Sequence, residues 1–249
     1  MSPMHWHRLP GILGHAQAIV SANLPRKQRM DYVLNFSVVW RSFDNLLAGL
    51  GLSLLIAFGS ILIGMVIGLV VGFALISPST GVRRLANTYV TLIRNTPLLV
   101  LVLFAYFAMP DLGVRLGSIE SFVVTLALYS SCYLAEVFRS GLLSVPKGLG
   151  EAGQAIGLTK MQIRTSIVMP IMFRNVLPAL GSTVISLFKD TSLAAAIAVP
   201  ELTYQARKIN VESFRVVETW IVASLIYVLT CAVLAMLFRR VERYLAIVR

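Results

Sequence analysis

The stretch EAGQAIGLTKMQIRTSIVMP, from Glu151 to Pro170, is a polar interruption in a chain that otherwise consists of long apolar runs. From Glu151 the pattern is helical, because Ala152, Ala155 and Ile156 share one face at spacings of three and four residues. Glu151 would lie in the first helical turn, where a carboxylate interacts favourably with the helix dipole. The sequence therefore predicts a short helix that begins near Glu151.

Glycine and proline residues predict a break on each side of this helix. Pro146, followed by Gly148 and Gly150, indicates that no helix extends through the preceding segment. Gly157 favours the left-handed backbone conformation that ends many helices. We expect the chain to turn sharply at both places.

A second helix is predicted to follow the bend. Thr159 and Gln162, three residues apart, have the pattern of a capping box. Ile163 and Ile167 continue an apolar face, and Pro170 marks the approach to the next apolar run. Such a bent helix pair, with an apolar ridge and one carboxylate, is shaped to dock into a groove on another protein. The alternative is an amphipathic loop that lies on lipid headgroups.

The composition of the whole chain indicates that lipid is its main solvent. Of the 249 residues, 57% are apolar and only 13% are charged, and the mean hydropathy is +0.80. Soluble domains carry roughly a quarter charged residues. The net charge of +11 does not indicate nucleic acid, because the basic residues lie between apolar runs and form no stripe interleaved with aromatic residues.

Five apolar runs are long enough to cross a bilayer, which takes about 20 residues. The second run is interrupted by Arg94, Asn95 and Pro97, and the proline predicts a kink there. The fourth run is interrupted by Lys189 and Asp190. Basic residues near the span ends favour an N-terminus outside and a C-terminus in the cytoplasm. The predicted spans are residues 46–76, 85–109, 118–138, 176–199 and 219–238.

These runs also define the predicted domain organisation. Residues 46–240 form a transmembrane domain that includes a cytoplasmic loop at about 146–170, and residues 30–45 form an amphipathic segment that leads into it. Residues 1–29 have a mixed composition and are either a dispensable extension or a mis-assigned start. Residues 241–249 form a cytoplasmic tail.

Small residues recur every four positions in the first span, at Ser60, Gly64, Gly68 and Gly72. A face of small residues lets another helix approach closely. The approaching helix belongs either to this chain or to a second subunit.

The cysteine and histidine residues do not predict metal or redox chemistry. Cys132 and Cys231 lie in apolar runs without CxxC spacing, and we interpret them as packing residues. His5, His7 and His15 lie near the N-terminus and share no cluster with Cys, Asp or Glu. We therefore predict no metal site.

The stretch from Glu151 to Pro170 resembles the EAA loop of type I ABC importer permeases, whose pattern is E-A-A-x3-G-x9-I-x-L-P. It departs from that pattern at Gly153, where the family has alanine, and at Met169, where the family has leucine. Gly153 would weaken the first helix by up to about 1 kcal/mol. The matching residues are Glu151, Ala152, Gly157, Ile167 and Pro170.

Three further stretches resemble motifs of one branch of that family, the permeases for polar amino acids such as histidine, glutamine and glutamate. They are RNTPLLVLVLFAYFAMP at 94–110, CYLAEVFRSGLLSVPKG at 132–148 and FKDTSL at 188–193. The likeness extends over about residues 30–249, and several motifs in the same order are far more specific than any single one.

The resemblance implies an all-α integral membrane protein of the bacterial inner membrane, with a five-span type I ABC permease core and a cytoplasmic EAA coupling loop. In such importers two permease subunits form the pathway, and each docks its loop on a cytoplasmic ATPase dimer that binds ATP and Mg. An extracytoplasmic solute-binding protein selects the substrate. The family's loop glutamate contacts an arginine of the ATPase, which implies that role for Glu151, and Gly157 would form the bend. Which amino acid is carried, and whether the permease pair is a homodimer or a heterodimer, stay open.

Ionisable groups inside spans are candidates for the translocation path, because each costs at least about 2.5–3.5 kcal/mol at the bilayer centre. Lys189 and Asp190 would lie near mid-membrane or beyond, and Thr191 and Ser192 extend the polar run. This group could bind the carboxylate and ammonium of a zwitterionic amino acid. Alternatively, Lys189 and Asp190 neutralise each other or cap a break in the helix.

Two other charged groups in spans allow similar alternatives. Glu136 and Arg139 share a helix face at a spacing of three residues, and they form either a local ion pair or a gate contact. Arg94 either extends its side chain to the cytoplasmic interface or lines the pathway.

The sequence excludes one rival class and leaves another. An intramembrane protease would need a GxSG serine with a histidine in another span or an HExxH ligand set, but the predicted spans contain no histidine. The chain also has no GxxxxGK[ST] phosphate loop, so we expect it to bind no cofactor and to hydrolyse no ATP. An ATP-independent channel or scaffold stays possible; it would not depend on the loop at 146–170.

Overall fold

The computed structural model describes residues 32–246, and every regular element in that range is helical. The predicted extension at 1–29 and residues 247–249 of the predicted tail lie outside the described residues. The chain divides into two units, residues 1–34 and 35–249. Of the first unit only residues 32–34 are described, and they lie in neither a helix nor a strand.

The second unit is a succession of helices, some of which continue into tighter or wider turns. The short helix α1 leads into the long α2, and the last helix, α10, spans 31 residues. The bounds are α1 (Ser37–Arg41), α2 (Phe43–Leu75), α3 (Thr80–Arg94), α4 (Leu98–Leu103, continued by a π turn at Phe104–Ala108 and a 3-10 turn at Met109–Leu112), α5 (Ser118–Ser144), α6 (Lys147–Ala155), α7 (Lys160–Gln162, continued by a π turn at Ile163–Val168), α8 (Met169–Asp190, continued by a 3-10 turn at Thr191–Ile197), α9 (Leu202–Ser213) and α10 (Val216–Ala246).

Within residues 32–246, four helical segments are long and apolar enough to cross a membrane: α2, α5, Lys160–Ile197 and Val216–Tyr244. The helices α3 and α4 add a fifth span if they count together, since they meet at an angle of 95° across a short break. The break falls at Asn95–Pro97, so the predicted interruption of the second span is confirmed. An all-helical membrane fold with five spans is the fold class that the sequence predicts.

The small residues of α2 form its contact with α5, and this is the most extensive contact between two helices in residues 32–246. Ser60, Gly64, Gly68 and Gly72 are all buried. A Cβ atom on Gly68 would lie 2.8 Å from the carbonyl oxygen of Ser131, and one on Gly64 would overlap Ser130 Oγ. The close approach therefore occurs within this chain, as one of the two interpretations proposed.

This packing gives a direct test of the fold. We expect Gly64→Val to destabilise the protein by about 1–3 kcal/mol through overpacking, which corresponds to a fall in melting temperature of roughly 2–12 °C. The matched control is Gly59→Val, because Gly59 lies in the same helix with open space around its Cα. Thermal unfolding in detergent measures both variants. Equal melting temperatures for the two would contradict the α2–α5 contact.

Candidate functional site

The loop between α5 and α8 is a pair of short helices joined by a tight bend. Its first helix, α6, begins at Lys147, so the expectation that no helix runs through Gly148 and Gly150 is wrong. Pro146 lies immediately before the helix, where its missing N–H costs nothing because the first-turn N–H groups have no intrahelical acceptor. Glu151 consequently lies in the second turn of α6, and its predicted place in the first turn is also wrong.

The bend follows the local rules that the sequence contains. Gly157 has a φ of +86°, in the left-handed region that favours glycine. Thr159 then caps α7: its hydroxyl oxygen accepts a hydrogen bond from the N–H of Gln162 at 3.3 Å, and Gln162 Oε1 accepts one from the N–H of Thr159 at 2.8 Å. Both the predicted bend and the predicted capping box are confirmed.

The inner side of the loop is where its two helices pack together. Ile163 is only 6% exposed, and Ile167 is partly buried. A Cβ atom on Gly153 would lie 3.0 Å from Ile163 Cγ1 and 3.1 Å from Ile167 Cδ1. The glycine that departs from the family pattern is thus the point of closest approach. In this structure Ile163 supports the shape of the loop and contributes little to its outer surface.

The outer side of the loop is an apolar ridge exposed to solvent. Ala152 and Ala155 are exposed, and Ile156 is 77% exposed. Met161, which lies beyond the bend, is also exposed, at 68%. Glu151 is exposed beside it. Among residues 32–246, no ion pair involves Glu151.

The left-handed bend predicts the effect of a single methyl group. Gly157→Ala would place a Cβ in a conformation that costs about 1–2 kcal/mol, so we expect local opening of the loop to become about 5–30-fold more frequent. Amide hydrogen exchange of residues 150–165 measures that opening. Gly148→Ala is the control, because Gly148 is helical with open space around it. Equal exchange in both variants would show that the bend does not hold the loop.

A continuous helical segment, Lys160–Ile197, connects the loop to the membrane. Pro170 is the second residue of α8 and has no N–H to donate to the preceding turn. The backbone accommodates the proline by widening into the π turn at Ile163–Val168. Lys160 and Asp190 are therefore joined by roughly 45 Å of helix, at 1.5 Å per residue.

At the far end of that segment a polar pocket of about 350 Å³ lies between α5 and α8. From α8, Ser182, Ser186 and Asp190 line it at intervals of four residues, so they share one helix face. The hydroxyl groups of Ser182 and Ser186 were not among the candidates predicted from the sequence, although polar residues at a spacing of four in an apolar span indicate a polar helix face. The lining residues are Tyr129, Tyr133, Ser182, Thr183, Ser186, Leu187 and Asp190.

The predicted polar run at 189–192 separates in the structure. Asp190 lines the pocket, whereas Lys189 is exposed and does not line it. Thr191 is fully buried, and its hydroxyl donates to the carbonyl of Phe188 at 2.7 Å. Ser192 is half-buried in the 3-10 turn. Of these four candidates, only Asp190 lines the pocket.

Charged groups extend the polar face of α5 beyond Tyr129 and Tyr133, toward the C-terminal end of the helix. Glu136 Oε2 accepts from Arg139 at 2.8 Å, so the predicted ion pair is present. Arg94 approaches the other oxygen of Glu136 at 3.9 Å, and its guanidinium lies 5.0 Å from the ring centre of Tyr133. Arg94 at the break between α3 and α4 thus contacts the same α5 face as the pocket. The hydroxyl groups of Tyr129 and Tyr133 are 3.0 Å apart.

Comparison with known proteins gives consistent relatives. Residues 60–246 match the family model for the binding-protein-dependent transport system inner membrane component. The chain is 35% identical over 215 residues to the glutamine transport system permease protein GlnP of Escherichia coli (strain K12), covering 86% of this chain and 98% of that protein. It is 36% identical over 192 residues to the L-cystine transport system permease protein TcyB of Bacillus subtilis (strain 168), covering 75% and 82%.

A solved structure supports the same assignment. The crystal structure of an amino acid ABC transporter with histidines contains a chain that superposes with a TM-score of 0.79 at 29% identity, covering 86% of this chain and 100% of that one. The family match spans most of the described helices, and the resemblance of the loop and span motifs agrees with it. The chain therefore belongs to the family of binding-protein-dependent transport system inner membrane components, as a type I ABC importer permease of the amino acid branch.

Proposed function

We propose that this chain forms half of the translocation pathway of an ATP-driven importer of polar amino acids, and that the loop at 146–170 couples the pathway to a cytoplasmic ATPase. The observation that carries the proposal is the exposed ridge of Ala152, Ala155 and Ile156 on a bent helix pair. A contiguous apolar surface exposed to water is typical of a protein contact. The named transport substrates of the relatives, glutamine and L-cystine, favour a polar amino acid.

Coupling would proceed through the helix that leaves the loop. ATP and Mg bind to the partner ATPase dimer, which closes around them; the docked loops move with it. Since Lys160–Ile197 is one helical segment, which contains the π turn at Ile163–Val168 and Pro178, a displacement at the loop would be transmitted along it toward Asp190. The alternation between inward- and outward-facing states would then change the access to the polar pocket.

The polar face that α5 and α8 share favours a second permease subunit as the partner across the pathway. A carboxylate facing lipid near mid-membrane is costly, so Asp190 and the adjoining hydroxyl groups belong beside water or protein. We place this face against the pathway, which the second subunit, an identical or sister chain, completes. The face that meets lipid is then the apolar outer side of α2 and α10.

An extracytoplasmic solute-binding protein would approach from the end opposite the loop. The helix α9 and its following turn present Arg207, Lys208 and Val211, together with Phe214, which is 82% exposed. Phe214 has a φ of +56°, a conformation that non-glycine residues adopt at a cost and that clusters at functional sites. With the loop in the cytoplasm, α9 is outside, and the N-terminus is outside as well.

The test is transport in proteoliposomes that contain this chain, the ATPase and the sister permease encoded beside it, if there is one. With the binding protein and a panel of radiolabelled amino acids on one side, we expect uptake only when ATP and Mg are present at the loop side. Vanadate, which traps ATPases, should stop it. Uptake that proceeds without ATP would overturn the proposal and favour the channel interpretation. No uptake of any polar amino acid by an assembled, ATP-hydrolysing complex would overturn the substrate class.

A further inference from the structure

Glu201 is a fully buried carboxylate that the coupling loop and the polar pocket do not use. It lies immediately before α9, with a relative exposure of 0%. Its Oε1 accepts from the N–H of Tyr204 at 2.8 Å, and so it caps α9. Its Oε2 accepts from the hydroxyl of Tyr227 in α10 at 3.1 Å and from Ser53 Oγ in α2 at 3.2 Å. One side chain therefore joins three helices.

The hydrogen bonds around Glu201 extend this junction. Ser53 Oγ also accepts from the N–H of Leu202 at 3.2 Å, and the hydroxyl groups of Thr203 and Tyr227 are 2.8 Å apart. Burial raises the pKa of Glu201 above its ordinary value. The hydrogen bonds from the N–H of Tyr204 and from the hydroxyl groups of Tyr227 and Ser53 oppose this rise, because they stabilise the charged form.

Backbone packing fixes the same end of α9 against α2. A Cβ atom on Gly49 would lie 2.9 Å from both the carbonyl carbon of Glu201 and Cγ of Gln205, so only glycine fits there. The other end of α9 leads into α10, where a second fully buried carboxylate, Glu218, accepts from the N–H of Asn35 at 2.8 Å. Between these ends, Leu202, Ala206 and Ile209 of α9 are buried, and α9 contacts both α2 and α10.

This anchoring matters because the other side of α9 is exposed. If α9 were held only by its flanking loops, it could tilt when a partner binds without displacing other helices. As a helix hydrogen-bonded through Glu201 to α2 and α10, it transmits a displacement into two spans. Such a contact is a positioning contact, since Glu201 has no exposed surface with which to touch a partner or a substrate.

We propose that Glu201 is a positioning residue that ties α9 to α2 and α10, so that engagement of the solute-binding protein at α9 is transmitted into the membrane spans. This rests on the proposed function, in which that partner binds the exposed side of α9. The junction, and not the exposed side chains alone, then determines how strongly the partner stimulates ATP hydrolysis.

The experiment measures ATP hydrolysis by the full transporter in nanodiscs, with and without the liganded binding protein. The readout is the ratio of the two rates for each variant. We expect Glu201→Ala to lower this ratio by roughly fivefold or more, within the usual range of coupling between sites. Glu201→Gln should keep the ratio within about twofold of the wild type, because the hydroxyl groups of Ser53 and Tyr227 can accept from the amide. Glu242→Gln, at a half-buried carboxylate near the end of α10 and away from α9, is the matched control.

Each outcome separates this inference from the proposed function. A wild-type complex that the binding protein does not stimulate would contradict the proposed function itself. A stimulated wild type together with an unchanged ratio in Glu201→Ala would overturn the role of Glu201 alone, as would a loss of stimulation in Glu201→Gln equal to that in Glu201→Ala. If Glu201→Ala does not assemble, Tyr227→Phe removes the hydroxyl that contacts Glu201 and Thr203 with little change in packing, and we expect an intermediate ratio. An unchanged ratio in Tyr227→Phe would then contradict the proposal.

Discussion

Glu151→Lys should abolish the capture of the ATPase by this permease. The exposed carboxylate would be replaced by a cation facing the arginine that the family resemblance implies on the ATPase. Truncating one partner of an interfacial charge pair already costs about 2–5 kcal/mol, and at 1.4 kcal/mol per tenfold that lowers the affinity by about 30-fold or more. The measurement is the amount of ATPase that co-elutes with the tagged permease in a mild detergent.

The control for this charge reversal is Glu212→Lys. Glu212 is also an exposed glutamate on a short helix, but it lies on α9, at the other end of the spans. It changes the net charge by the same amount and should leave ATPase capture unchanged. If Glu151→Lys retains the ATPase as well as Glu212→Lys does, the loop is not the docking element. A third variant, Ile156→Asp, places a charge on the apolar ridge at a side chain that is 77% exposed, and we expect it to fail like Glu151→Lys.

The features of the loop that follow from the sequence depend on residues only three or four positions apart. Thr159 and Gln162 cap each other because residues three positions apart lie within one helical turn. The chain bends at Gly157 because glycine, which has no Cβ, adopts the left-handed conformation without a steric cost. Neither the capping box nor the bend depends on the rest of the fold. The ATPase partner cannot be predicted from such local rules, and it follows only from the match to the family pattern.

The start of α6 shows where local rules fail. Pro146 can begin a helix, whereas Gly148 and Gly150 disfavour one, and the sequence does not say which preference decides. In the structure the helix begins after the proline. Gly148 has open space around its Cα, and Gly150 lies next to Ile163. Tertiary packing against α7 and its π turn outweighs a propensity of about 1 kcal/mol per glycine.

Burial is the property that the sequence conceals most. Glu201 follows an apolar run and reads as an ordinary polar residue in a loop, but three helices converge on it. Lys189 and Asp190 are adjacent in the sequence, yet only one lines the pocket, because successive residues of a helix point about 100° apart. Such differences depend on contacts between spans that are distant in the chain.

The different positions of Lys189 and Asp190 predict a large effect of a substitution at Asp190. Asp190→Asn keeps the shape of the side chain but removes the carboxylate from the pocket that Tyr129, Tyr133 and Ser186 share. If the ammonium of the transported amino acid contacts Asp190, the lost hydrogen bond to a charged group is worth about 1.5–3 kcal/mol. Uptake at substrate concentrations below saturation should then fall by roughly 10–100-fold. ATP hydrolysis should fall much less, since the loop at 146–170 and its exposed apolar ridge are unchanged.

The neighbouring residue supplies the matched control. Lys189→Gln removes a charge from the same helical turn but from a side chain that does not line the pocket. We expect its uptake to stay within about twofold of the wild type, because exposed substitutions usually change free energies by less than 0.5 kcal/mol. Uptake and ATP hydrolysis are measured on the same proteoliposomes. Equal losses in both variants would indicate that the two residues act as a neutralising pair, whereas normal uptake in Asp190→Asn would remove this carboxylate from the pathway. A loss confined to Asp190→Asn would locate the ammonium of the substrate at the face of α8 that lines the pocket. This site would be separated by roughly 45 Å of helix from Lys160, where the segment leaves the loop.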